Sequence, residues 1–302
     1  DLHVHLGNVY FGADDGDFGN ELWRTDGTEL GTVLIKNLHL EQDSDPLHEN
    51  CDDIGGSEEI RCHSYPSGFA SFGNALLFRA DNGDYHQLWV SSGSASGTKT
   101  VHDDGAGYHT PNPSCRSSGQ YGPWGQPSCG IYVTENVAYL AVCTNSYWSD
   151  NGEHEWYPCY DDNQWNEGVE LLRTDGTHEG TWLISPGQST QGICPGRCWG
   201  VGGSNLTNDY IGSPWDAVVM DDTLYFSANN SDNGFELWKS DGTNDTTEMV
   251  LDICPGDLET VCHKITNGGS PHNFFLSSDT NTLYFSATDS YGTELWRSDG
   301  TE

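Results

Sequence analysis

The segment Asn20-Glu-Leu-Trp-Arg-Thr-Asp-Gly-Thr28 returns in edited form at Val169 to Thr177, Phe235 to Thr243 and Thr293 to Thr301, with a degraded copy at Gln87 to Gly93. Self-similarity of this kind restricts a chain to one small unit used several times, each burying its apolar face against the next. A strand-like run precedes every copy across a short polar loop, at Val9 to Ala13, Leu76 to Ala80, Val137 to Ala141, Leu224 to Ala228 and Leu283 to Ala287. Two such runs joined through Asp, Asn and Gly read as a β-hairpin. Shorter apolar runs lie upstream, at Phe69 to Phe72, Ala217 to Met220 and Phe274 to Leu276. Others lie downstream, at Gly31 to Leu38, Gly180 to Ser185 and Glu248 to Ile253. The unit is expected to hold four antiparallel strands, which is one propeller blade.

The expected fold class is all-β, a propeller of about five four-stranded antiparallel blades with disulfide-stapled loop inserts, forming one domain over 1–302. The blades cover 1–38, 69–103, 131–185, 214–253 and 271–302. The last is expected to lack its fourth strand, because Glu302 follows directly on the motif while Leu2 to Leu6 already serves as the first strand of the first blade. An unpaired sheet edge exposes a row of backbone donors and acceptors, so the expected completion is a following segment or a strand of a neighbouring molecule. With an identical subunit the contact is heterologous, and a heterologous contact that does not close builds filaments. The first residue is Asp rather than Met, which leads to the expectation of a mature or excised segment.

The recurring Glu-Leu-Trp-x-x-Asp-Gly-Thr resembles the ELWxxDGT repeat family of secreted and cell-surface proteins. The resemblance covers the five hairpins and implies a repeat architecture, not a reaction. Within each copy the Asp-Gly pair has a mechanical reading: a tight turn between third and fourth strands needs a positive φ and an Asx side chain to cap it. Asp26, Asp175, Asp241 and Asp299 are expected to be such turn residues, similar to the Asp-box of sialidase-type propellers. Glu21, Glu170, Glu236 and Glu294 share a strand face with the motif tryptophans, because side chains alternate along a strand.

Eleven Trp, 14 Tyr and 10 Phe supply large rings to fill the spaces between blades. Ten cysteines without a CxxC pair read as five disulfides. Proximity in sequence pairs Cys51 with Cys62, Cys115 with Cys129, Cys143 with Cys159, Cys194 with Cys198 and Cys254 with Cys262. An even count of this size points to an oxidising, extracellular compartment. Asn205, Asn229 and Asn244 begin Asn-x-Ser/Thr sequons and are candidate glycosylation sites, the last two in expected turns. No apolar run is long enough to insert into a membrane.

Forty-six acidic residues against 11 basic ones leave a charge of −35, which excludes nucleic acid as a partner. Divalent cations would relieve the self-repulsion, and calcium is the expected ion. Its candidate ligands are Asp14, Asp15 and Asp17 in the first hairpin loop, with Asp81, Asp84, Asp150, Asp232 and Asp289 in the others. The alternative is that Asp, Asn and Gly simply suit hairpin loops. Between Cys143 and Gly168 an insert carries Trp148, Trp156, Tyr157, Tyr160 and Trp165 among acids, a composition that suits a protein interface, a cap over the blade, or sugar stacking. The other inserts, Leu40 to Ser67, His102 to Gly130 and Pro186 to Ser213, read as stapled surface loops.

No HExxH, Gly-x-Ser-x-Gly, phosphate loop or dinucleotide fingerprint occurs, and His3 and His5 have no third ligand at recognisable spacing. Asp216 and Glu135 alone suggest a glycosidase pair. No catalytic residue and no organic cofactor is assigned. The expected function is an extracellular structural or adhesive module, self-associating as the repeating subunit of a surface filament. The alternatives are a glycan-binding module using the Trp-rich insert and a glycoside hydrolase.

Overall fold

The computed structural model describes residues 1–39, 51–53, 60–82, 86–101, 130–143, 147–148, 154–155, 169–184, 217–229, 233–255 and 268–301. These form an all-β chain whose one helical feature is a 3-10 turn at Ala95–Gly97, so none of them belongs to a helix that could cross a membrane. Two compact units divide it: Asp1–Pro113 with Thr174–Thr181, and Ser114–Arg173 with Trp182–Glu302.

In the first unit, one sheet consists of β1 (Leu2–His5), β2 (Asn8–Asp14), β3 (Asn20–Thr25) and β4 (Val33–Lys36) in that spatial order. A two-stranded ladder of β5 (Cys51–Asp53) and β6 (Ile60–Cys62) leads to the second sheet, β7 (Ser67–Phe72), β8 (Ala75–Asp81), β9 (His86–Ser91) and β10 (Thr98–Thr100). The second unit opens with β11 (Tyr132–Val133) and β12 (Ala138–Cys143), a small hairpin of β13 (Tyr147–Trp148) and β14 (His154–Glu155), then β15 (Val169–Thr174) and β16 (Trp182–Leu183). β11, β12, β15 and β16 are the third sheet. The fourth is β17 (Ala217–Met220), β18 (Thr223–Asn229), β19 (Phe235–Ser240) and β20 (Glu248–Leu251). The fifth has three described strands, β21 (His272–Ser277), β22 (Thr282–Asp289) and β23 (Gly292–Ser298). All pairs within these five sheets whose register is defined are antiparallel, as hairpin connections require.

Turn chemistry explains the meanders. Leu6 and Gly7 (φ 47° and 79°), and Asp221 and Asp222 (50° and 62°), both hold the paired positive φ values that match a two-residue hairpin to strand twist. In the motif turn, Asp26 Oδ1 accepts the Thr28 N–H at 2.9 Å and the Thr28 hydroxyl at 2.7 Å. Asp175 with Thr177 and Asp299 with Thr301 repeat this arrangement. A hydroxyl pair seven residues apart closes the same hairpin: Thr25 with Thr32, Ser91 with Thr98, Thr174 with Thr181 and Ser240 with Thr247, at 2.6 to 2.7 Å.

Side-chain alternation gives every sheet two unlike faces. In the first unit, Tyr10, Leu22 and Ile35 of the first sheet pack on Leu76, Phe78 and Trp89 of the second. In the second unit, Val137, Tyr139 and Leu171 of the third sheet meet Leu224, Phe226 and Trp238 of the fourth. Tyr225, Leu237 and Val250 of the fourth meet Leu283, Phe285 and Ala287 of the fifth. One face, carrying the motif leucine, covers the following sheet. The other, carrying phenylalanine and the motif position after leucine, receives the preceding one.

Candidate functional site

The motif glutamate fixes the end of one sheet to the start of the next. Glu21 is fully buried; its Oε2 accepts the Leu38 N–H at 2.8 Å and its Oε1 the Ser64 hydroxyl at 2.9 Å. Glu236 is equally buried and accepts two backbone N–H groups, from Ile253 at 2.9 Å and Gly269 at 2.8 Å. Burial pushes both carboxyls up to about 7, against the opposing pull of these hydrogen bonds. The backbone follows suit: Ser64 N–H donates to Asn20 O while Asp81 N–H donates to Ser64 O. Ser270 to Phe235 and Thr288 to Gly269 reproduce those two bonds in the second unit. These two linkers are thereby threaded between the sheet each leaves and the sheet each enters.

Against this regular packing, two sheet faces stand out. The motif leucine is 0% exposed at Leu22, 1% at Leu88, 4% at Leu171 and 1% at Leu237, yet 77% exposed at Leu295. Phe275, on the same face of the fifth sheet, is also largely exposed. Beside β23, which among the described residues pairs with β22 alone, lies a cleft of 420 Å³ lined by Leu237, Val250, Leu251, Phe285 and Trp296. On the first sheet, Leu2 and Val4 are 79% and 70% exposed. They belong to the face whose counterparts Ala217 and Val219 pack into the core of the fourth sheet. These two surfaces are apolar and are the places where the repeat pattern would put another sheet, which makes them the candidate site.

Of the residues singled out in the sequence, Asp299 lines the cleft beside β23; the candidate metal ligands that are described do not. Asp14, the last residue of β2 rather than a loop residue, accepts Gly16 N–H on Oδ1 at 2.7 Å, and Asp15 Oδ1 accepts Asp17 N–H at 2.9 Å, so both carboxylates hold the turn. Asp289 does the same with Tyr291 N–H at 2.7 Å. Asp81 is buried at the end of β8 rather than in a loop. Among the described residues no group of three or more His, Cys, Asp or Glu is placed to hold a metal ion. Asp84, Asp150 and Asp232 lie outside the described residues.

Asn229 is the last residue of β18, paired with Phe235, and not part of a turn; Asn244 is exposed in the β19–β20 turn, and Asn205 lies outside the described residues. Trp148 belongs to β13, and Trp156, Tyr157, Tyr160 and Trp165 lie outside, as does Asp216. Glu135 is exposed, its N–H bonded to Asp222. Cys51 stands opposite Cys62 in the β5–β6 ladder, and Cys62 and Cys254 each take part in a disulfide. No described cysteine is free. Cys143 ends β12, whereas Cys115, Cys129, Cys159, Cys194, Cys198 and Cys262 lie outside the described residues. His3 Nε2 and His5 Nδ1 both bond the Ser71 hydroxyl, at 2.9 and 3.0 Å.

No family model and no curated protein sequence matches the chain. Solved structures similar to it include a mutant puromycin hydrolase complexed with PGG, at 9% identity and a TM-score of 0.40, over 93% of this chain and 32% of that one. TolB from Acinetobacter baumannii is similar at 7% identity and a TM-score of 0.38, over 97% of this chain and 50% of that one. A nidogen/laminin complex is similar at 10% and 0.32, over 96% and 74%. The chain thus spans half or less of the length of the first two.

Proposed function

We propose that this chain is an extracellular structural module, a propeller-like array of sheets that associates with copies of itself into a surface filament. The observation that carries the reading is Leu295: one motif residue, buried in four sheets, stands bare in the fifth. Burying a leucine contributes roughly 1.5 to 3 kcal/mol, so an exposed face of this composition favours a partner. The outer edge of β23, which no other described strand pairs, beside an apolar cleft supports the same reading, since a sheet edge recruits a strand through its backbone groups. Disulfide-bonded Cys62 and Cys254 support an oxidising location.

Sedimentation and negative-stain imaging of the purified chain test it. Regular fibres are expected for the wild type and dispersed particles for Leu295→Asp. Dispersed wild-type particles at every concentration would sink the reading.

A further inference from the structure

Three joints between successive sheets share one arrangement, whereas Gly176 of the third sheet meets Phe72 and Val90 of the second instead. A Cβ placed on Gly93, in the second sheet's motif turn, would lie 2.5 Å from the Tyr10 hydroxyl and 3.6 Å from Arg24 Nη1 of the first sheet. On Gly242, in the fourth sheet, it would lie 3.2 Å from the Tyr139 hydroxyl and 3.7 Å from Arg173 Nε of the third. Gly300, in the fifth, closes onto the Tyr225 hydroxyl, and Lys239 Nζ donates to Gly300 O at 3.5 Å. In each case a tyrosine and a cation of one sheet lie under the glycine turn of the next. The chain has only 11 basic residues, so their placement at this spot is a substantial use of them.

The two halves of such a joint are also present uncovered. Tyr284 and Arg297 sit opposite each other across β22 and β23, as Tyr10 and Arg24 do across β2 and β3, and Tyr225 and Lys239 across β18 and β19. Arg297 is exposed on the face that bears Leu295. The first sheet supplies the other half: at Gly27 a Cβ would meet nothing within 4 Å. The exposed carboxylates Asp26 and Glu29 flank that glycine. The apolar complement lies on the same sheet: Val9, Phe11 and Trp23 are partly exposed, whereas their counterparts Leu76, Phe78 and Trp89 are buried.

We propose that the fifth sheet of one copy docks on the first sheet of a second copy, head to tail. Tyr284 and Arg297 lie under the neighbour's Asp26-Gly27-Thr28 turn, and Leu295 packs against its Val9, Phe11 and Trp23. The proposal rests on the self-association reading and names its partner surface. Charge complementarity favours a second copy as the occupant, because Arg297 meets Asp26 and Glu29 in an otherwise strongly acidic chain. Shape favours it too, since the occupant must present a glycine turn over a phenylalanine face, which is the surface the first sheet displays. Such a contact is heterologous and open-ended.

The test mixes two blocked copies and follows them by analytical ultracentrifugation. Val4→Asp disables the first-sheet face and Leu295→Asp the fifth-sheet face; both side chains are exposed, and unchanged circular dichroism melts verify folding. Each variant alone is expected to sediment as a monomer, and an equimolar mixture as a one-to-one heterodimer joined through the two intact faces. Adding Arg297→Ala to the Val4→Asp copy is expected to weaken that heterodimer by at least about tenfold. Val4→Asp copies that still polymerise or pair with themselves, or a mixture that stays monomeric, overturn the joint while leaving self-association standing. A monomeric wild type whose melting temperature drops with Val4→Asp shows closure within one chain and overturns both.

Discussion

Tyr10 stands beneath Gly93, close enough that a Cβ on the glycine would lie 2.5 Å from the tyrosine hydroxyl. Gly93 also has φ +79°, in the left-handed region that costs other residues about 1–2 kcal/mol. Gly93→Ala is expected to lower stability by both effects, and Gly27→Ala, at φ +93° with open space around it, by the backbone cost alone. Urea denaturation of the two variants checks this, with Tyr10→Phe expected to recover part of the Gly93→Ala loss.

The two buried glutamates respond differently to loss of charge. Both Glu236 oxygens face backbone N–H donors, so at about pH 8, where the carboxyl is ionised, Glu236→Gln sets an amide N–H₂ against one of them and is expected to cost about 1–3 kcal/mol. Glu21 faces one N–H and the Ser64 hydroxyl, which can turn to accept. Glu21→Gln is expected to cost less, and a Ser64→Ala background to erase the difference.

Stability should fall as pH rises across the range in which these carboxyls ionise. Their folded value of about 7 lies above the ordinary 4.5, so the folded chain holds the extra protons between those limits. Their contribution is complete below the ordinary value, declines as pH rises toward about 7, and is flat above it. Each group accounts for on the order of 3 kcal/mol across the window. Denaturant midpoints at about pH 5 and about pH 8 measure the drop, and the doubly substituted Glu21→Gln, Glu236→Gln chain is expected to show a smaller one.

The buried hydroxyl pair Ser240–Thr247 joins the ends of its hairpin at 2.7 Å, and Ser240 Oγ also accepts the Gly242 N–H at 3.1 Å. Ser240→Ala leaves the Thr247 hydroxyl and that N–H to find other partners. A loss of about 1–2 kcal/mol is expected in thermal unfolding.

The four-stranded meanders were legible because the motif, its upstream aromatic run and the flanking apolar runs all alternate with period two, and Asp-Gly marks the turns. Edges of elements were harder to place. Asp81 and Asn229 look like loop residues by composition, yet each continues a ladder, because pairing to His86 and Phe235 outweighs their weak strand preference. The ladder of β5 and β6 lies inside an insert with no strong apolar period, so its sequence resembles loop. Glu21 and Glu236 share a face with tryptophan, and alternation predicted that much. Their hydrogen bonds could not be read, since the partners lie 17 to 43 residues away. The seven-residue hydroxyl spacing, by contrast, was present in the sequence at Thr25 and Thr32, Thr174 and Thr181, and Ser240 and Thr247.

Both carboxylates reach their first backbone partner 17 residues on, but the second lies 43 residues from Glu21 and 33 from Glu236. The same anchorage therefore brackets segments of unequal length, as a staple holds two cloth edges whatever the fold between them. Extra polypeptide inserted between those anchors, a decoration or a whole foreign domain, would hang from the scaffold without disturbing its stacking. The linkers are the natural sites for enlarging this molecule.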